Sequence, residues 1–110
     1  MTTLSTHVLD TTGGYPASDM EVTLLHDDRV LFSGRTDGDG RCPELGALSL
    51  DAGVYRLCFG VAPYFRDRGL DQGVPPFLDI VSVDFGMTGT GHYHVPLLVS
   101  PFGYSTYRGS

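Results

Sequence analysis

Three of the chain's four histidines fall in two short stretches: His7 in "LSTHVLD" near the start, and His92 and His94 in "GHYHVPLLVS" near the end. An imidazole titrates near pH ~6.5, so each can take or give a proton around neutrality. Two histidines separated by one residue share a face if their segment is a strand. Arg41, which closes "TDGDGR", is a permanently charged, bidentate donor suited to a planar oxyanion or an imide. His7, His92 and His94 are also a candidate zinc set, although no carboxylate or thiol stands at a spacing that completes it. The fourth histidine, His26, follows "TLL" and precedes Asp27 and Asp28; it reads as a solvated turn residue. The acidic loop before Arg41 is too short for a calcium loop and lacks the closing bidentate glutamate, so it reads as a turn.

Strands must position these groups. Fifteen glycines and 7 prolines among 110 residues cut the chain into short segments, the punctuation of an all-β sandwich. Between the breaks the apolar residues alternate. Met20, Val22 and Leu24 share one face of "MEVTLLH", Tyr55, Leu57, Phe59 and Val61 one face of "VYRLCFGV", and Val81, Val83, Phe85 and Met87 one face of "IVSVDFGM". A period of two is the strand signature. Only "PYFRDRGL" reads as a helical turn or two. In "HYHVPLLVS" the core face is Tyr93, Val95, Leu97 and Val99, which leaves His92, His94, Pro96, Leu98 and Ser100 on the other. In "LSTHVLD", Leu4, Thr6 and Val8 turn inward and His7 turns outward beside Leu9. Two strands therefore each present histidine on a semi-apolar outer face, which suggests that a second subunit covers it. Pro96 lacks a ladder donor and suggests an edge position or a bulge.

The bulk properties set wider bounds. The length suits a single domain, residues 1–110. A formal net charge of -6 argues against nucleic acid as a partner, and an anionic substrate would need a local cationic site. Cys42 and Cys58 form no CxxC pair and read as two unpaired thiols. "MTTLSTHVLD" has neither a basic start nor an apolar stretch of the kind a signal peptide needs. No apolar run approaches the ~18 residues of a membrane span, and the expected compartment is the cytoplasm.

"LSTHVLDTTGGYPA", "GRTDGDGR" and "HYHVPLLVSPFGYSTYRGS", in this order and over nearly the whole chain, resemble the 5-hydroxyisourate hydrolases, the transthyretin-related family of purine catabolism. The terminal "YRGS" is the most specific element. The thyroid-hormone carriers of the same fold share the "SPxxYST" phrase but lack "YRGS" and both key histidines. The resemblance implies a two-sheet, eight-stranded prealbumin-like sandwich with one short helix. It implies a homotetramer, a dimer of dimers, with active sites in the channel between dimers. The implied reaction is hydrolysis of 5-hydroxyisourate to 2-oxo-4-hydroxy-4-carboxy-5-ureidoimidazoline, without metal or organic cofactor. The family's catalytic positions fall on His7, Arg41 and His94, and its substrate contacts on His7, Arg41, Tyr107 and the terminal Ser110. Gly103 departs from the serine or threonine often found there and touches none of these positions. The rival readings are a transthyretin-like carrier of an aromatic ligand without catalysis, a metal-binding sandwich and an inert β-module.

Overall fold

Strand β1 (Thr2–Asp10) alternates without interruption, burying Leu4, Thr6 and Val8 and leaving Ser5, His7 and Leu9 partly exposed. This alternation is the fold in miniature. In the computed structural model, which describes residues 1–109, two four-stranded sheets stack their apolar faces. After β1 come β2 (Tyr15–Pro16), β3 (Glu21–His26), β4 (Arg29–Arg35), β5 (Gly53–Gly60), β6 (Ile80–Met87), β7 (Gly91–Ser100) and β8 (Gly103–Thr106). One sheet has the order β2-β1-β7-β8 and the other β4-β3-β5-β6. Leu4, Val8, Leu97 and Val99 from the first meet Val22, Leu24, Leu57 and Phe59 from the second in one buried core. Each such side chain contributes about 1.5–3 kcal/mol on burial. The all-β sandwich and the alternation expected in β3, β5, β6 and β7 are therefore observed, except that Pro96, expected on the outer face of β7, is buried as well.

Two local features differ from the sequence expectation. The helix α1 spans Val61–Asp67, two residues earlier than "PYFRDRGL" suggested. Val61, Ala62, Tyr64 and Phe65 are buried, a helical spacing that turns Val61 from a strand residue into the first residue of a helix. Pro63 is tolerated because it sits in the first turn, where no intrahelical N–H is needed. The helix closes with Gly69 at φ 72°, Gly69 N–H donating to Arg66 O and Leu70 N–H to Phe65 O, a Schellman arrangement. The second difference is Pro96. Strand β7 is an inner strand, not an edge. The ladder to β8 runs from Ser100↔Gly103 only to Leu97↔Thr106, and the Thr106 hydroxyl donates to the Pro96 carbonyl at 2.8 Å. Within a strand a residue's N–H and C=O point to the same side. The donor that proline lacks would thus face the point where β8 ends, and no ladder bond is lost.

His26 is partly exposed but is not a free turn residue. Its ring stacks on Tyr55 with centroids 4.4 Å apart, and its Nδ1 lies 3.0 Å from the Val54 carbonyl, which ties the β3–β4 turn to β5. Cys42 and Cys58 are free thiols, and burial pushes Cys42 up to about 11, where it stays a protonated thiol.

Candidate functional site

Strands β1 and β7 run parallel, in the register Thr3↔His92, Ser5↔His94 and His7↔Pro96. These residues all lie on the face turned away from the core, because their neighbours Leu4, Thr6, Tyr93 and Val95 are buried. The pairing sets His94 diagonally from His7, one strand over and one pleat along. On its other side β1 meets the loop before Arg41 through an isolated antiparallel bridge, His7↔Arg41. Directly opposed residues of such a bridge share a face. His7, Arg41 and His94 thus come together on one face from three distant parts of the chain.

The loop that carries Arg41 is built by Asp37. Its carboxylate accepts the backbone N–H groups of Asp39 at 2.9 Å and Arg41 at 3.0 Å, and Asp37 N–H donates to Arg41 O at 2.8 Å. The aspartate is spent on the turn, as expected of a turn rather than a calcium loop. Gly40 has φ 75°, and a Cβ there would stand 2.5 Å from the Val8 carbonyl. Only glycine allows the close approach, in which Val8 N–H donates to Gly40 O at 2.8 Å. That contact seats Arg41 beside His7. Arg41 forms no ion pair among the described residues, so its charge stays available to the face.

His94 is half-buried. Its Nδ1 lies 2.7 Å from Ser5 Oγ, which leaves Nε2 as the nitrogen that Ser5 does not engage. Desolvation, then the positive charge of Arg41, then His7 and His92, hold its pKa below the ordinary imidazole value. A neutral ring at pH 7 can accept a proton. What fixes this ring leaves no local signal in the sequence. Ser5 was one hydroxyl among many, and its partner role depends on a β1–β7 pairing between residues 89 apart in the chain.

The chain end closes on the same ring. Gly109 N–H donates to the His94 carbonyl at 2.7 Å. A Cβ on Gly109 would stand 2.6 Å from His94 Cδ2, closer than real side chains approach. Gly109→Ala is therefore expected to push the His94 ring or the chain end aside. In steady-state kinetics, any catalysis that uses this ring should lose up to about 10²-fold in kcat, the scale that an ångström of misplacement can cost, with the melting temperature little changed. Arg108 stacks its guanidinium 3.9 Å over the Tyr93 ring, a cation–π contact that holds the terminus down. Tyr107 is 58% exposed. It lines a separate cavity of about 220 Å³ at the open edge between the sheets, with Tyr93, Val95 and Arg108. Within one chain Tyr107 is thus set apart from the histidine face, and Ser110 lies outside the described residues. Among the described residues no group of three or more His, Cys, Asp or Glu is disposed to hold a metal ion. His92 and His94 instead direct ring nitrogens at Thr3 and Ser5.

An outward face carrying a neutral imidazole, a second imidazole and a guanidinium without an ion pair among the described residues is equipped for proton transfer beside developing negative charge. The chain is 48% identical to the 5-hydroxyisourate hydrolase of Ralstonia nicotianae, over 97% of each chain. Its fold superposes on the Klebsiella pneumoniae 5-hydroxyisourate hydrolase with TM-score 0.88 at 35% identity, covering 100% of this chain and 94% of that one. It superposes on sea bream transthyretin in complex with thyroxine with TM-score 0.84 at 29% identity, covering 96% and 93%. The model of the HIUase/Transthyretin family matches residues 4–109, and to that family the chain belongs.

Proposed function

We propose that this protein hydrolyses 5-hydroxyisourate to 2-oxo-4-hydroxy-4-carboxy-5-ureidoimidazoline, a step of urate breakdown, at the face formed by His7, Arg41 and His94. The observation that carries the reading is the convergence of these three side chains through the β1–β7 register and the His7↔Arg41 bridge. The identity to named 5-hydroxyisourate hydrolases supports it. A carrier of an apolar hormone has no use for two imidazoles and a guanidinium on one face.

His94 acts as the general base. Its depressed pKa keeps it neutral, and Nε2 takes a proton from water. The water oxygen bonds to the cyclic acyl carbon. Arg41 binds the substrate's oxygen edge and stabilises the charge that builds on the carbonyl oxygen. The ring C–N bond then breaks, and His7, acting as imidazolium, delivers a proton to the departing nitrogen and takes a replacement from solvent after turnover. The exposed Tyr107 hydroxyl and the terminal Ser110 contribute to substrate binding. No metal or organic cofactor enters these steps.

The unit of function is the whole chain, residues 1–110, assembled as a homotetramer, a dimer of dimers, in the cytoplasm. Partly buried Leu9 and Leu98 flank the histidine face, as expected where a second copy covers it, and assembly would bring Tyr107 from the sandwich edge to a shared channel. No helix of the described residues is long and apolar enough to cross a membrane.

Carbon-13 NMR of labelled urate, oxidised in place by urate oxidase, tests the reaction. The ureidoimidazoline carboxylate signal should rise faster with this protein present. An unchanged product time course from well-folded protein would refute the hydrolase reading and favour the carrier.

A further inference from the structure

Outside the His7–Arg41–His94 cluster, the same face carries a continuous chain of hydroxyls and imidazoles. Thr3 Oγ1 lies 2.6 Å from His92 Nδ1. His92 Nε2 lies 2.9 Å from Ser5 Oγ. Ser5 Oγ lies 2.7 Å from His94 Nδ1. All three are strong hydrogen-bond distances. Thr3, Ser5, His92 and His94 alternate in register across two parallel strands, so the row follows from the pleat rather than from one rotamer. His92 is exposed and His94 half-buried; the row runs from solvent to the proposed base.

Proton counting limits what this row can do. A hydroxyl carries one proton, and a neutral imidazole carries one on either nitrogen. Ser5 Oγ touches a ring nitrogen on each side but can donate to only one. All three contacts are hydrogen bonds in three arrangements. In the first, Thr3 donates to His92, His92 Nε2–H to Ser5 and Ser5 to His94 Nδ1, which puts the His94 proton on Nε2. In the second every donor reverses. His94 Nδ1–H donates to Ser5, Ser5 to His92 Nε2, and His92 Nδ1–H to Thr3, which leaves His94 Nε2 a free lone pair. In the third, Ser5 accepts from both His92 Nε2–H and His94 Nδ1–H and carries no proton along the row, so only the first two serve a relay. In these two, unlike the third, His92 and His94 are the same tautomer.

We infer that Thr3, His92 and Ser5 form a relay that sets which nitrogen of His94 carries the proton and passes protons between His94 and solvent. The role rests on the reading of His94 as the base. When Nε2 takes a proton from water, His94 becomes imidazolium. The Nδ1 proton then passes to Ser5, the Ser5 proton to His92 Nε2, the His92 Nδ1 proton to Thr3, and the Thr3 proton to solvent. One proton enters the row and one leaves, and His94 is again neutral with Nε2 protonated. Nε2 then gives this proton to solvent while the row takes one back from solvent at Thr3, which restores the free lone pair for the next turnover. Hydrolysis to a carboxylate releases one proton net, so the reaction supplies a proton to export. His92, Ser5 and Thr3 are positioning residues, since they act through His94.

The test uses nitrogen-15 NMR of the histidine rings in the intact protein without substrate, which reports the tautomer of each ring directly. His92 and His94 should share one tautomer in the wild type. Ser5→Ala should abolish the match, Ser5→Thr should restore it, and His92→Gln should change the His94 tautomer ratio. In the hydrolase assay, His92→Gln and Ser5→Ala should lower kcat about 10-fold or more with KM unchanged, short of the ~10⁴-fold loss when a triad histidine is locked in the wrong tautomer. Ser5→Thr should recover most of the rate. Opposite tautomers in the wild type, a His94 ring indifferent to Ser5→Ala, or unimpaired kcat in His92→Gln would each overturn the relay. Wild-type protein with matched tautomers but no hydrolysis would instead refute the proposed reaction, since the tautomer match is read without substrate.

Discussion

His94→Asn should lower kcat for 5-hydroxyisourate hydrolysis by about 10²–10⁴-fold, the range that a positioned general base supplies. Asparagine keeps a polar group near Ser5 but cannot accept a proton at neutral pH. The fold should survive, because His94 lies on the outer face of β7 and the core beneath it is formed by Tyr93, Val95, Leu97 and Val99. The backbone carbonyl of residue 94, which receives Gly109 N–H, is kept as well. The loss should fall on kcat with KM within a few-fold, since removal of the base leaves the Arg41 contact to substrate in place. His7→Asn should cost a comparable factor if His7 delivers the proton to the leaving nitrogen. Steady-state kinetics together with a thermal melt checks both variants. Full activity in both would contradict the histidine assignment.

Arg41→Gln should lower kcat/KM by about 10²–10³-fold, the cost of losing one strong donor to a developing oxyanion. It should also move the pH dependence in a defined direction. The base works when neutral, so kcat/KM falls on the acid side as His94 gains its proton. Desolvation is the first cause that holds the His94 pKa down, and the Arg41 charge is the second. Without that charge the imidazolium becomes easier to form, the His94 pKa rises toward its ordinary value, and the acid limb moves to higher pH. Arg41→Lys keeps a charge but loses the planar fork, so its acid limb should stay near the wild-type position while its rate remains impaired. Profiles of kcat/KM from about pH 5 to pH 9 separate the two effects. An acid limb that does not move in Arg41→Gln would show that the guanidinium does not act on the base.

Much of this site was legible from residue types and alternation. The inward set of β7 and the inward set of β1 follow from a period of two, and that period alone turns His7 and His94 outward. The length and turn residues of "TDGDGR" were enough to read a turn. What alternation cannot supply is partner choice. The parallel pairing of β1 with β7 joins residues about as far apart as the chain allows, so the Ser5–His94 and Ser5–His92 contacts had no local signal. The helix began at Val61 rather than Pro63 because burial of Val61 and Ala62 against the core overrode a strand-like run. Strand β4 went unread because its apolar residues are adjacent, Val30, Leu31 and Phe32, with Val30 exposed on a sheet edge. The bridge from Gly109 to His94 was equally invisible. A terminal glycine looks like a frayed end until the ring it must clear is in place.

If this face accelerates the decay of 5-hydroxyisourate, ultraviolet absorbance shows it directly once urate oxidase has generated the compound from urate. With wild-type protein added, decay should be faster than the spontaneous background, in proportion to protein concentration and unchanged by a chelator. Decay equal to background from correctly folded protein would contradict the proposed hydrolysis.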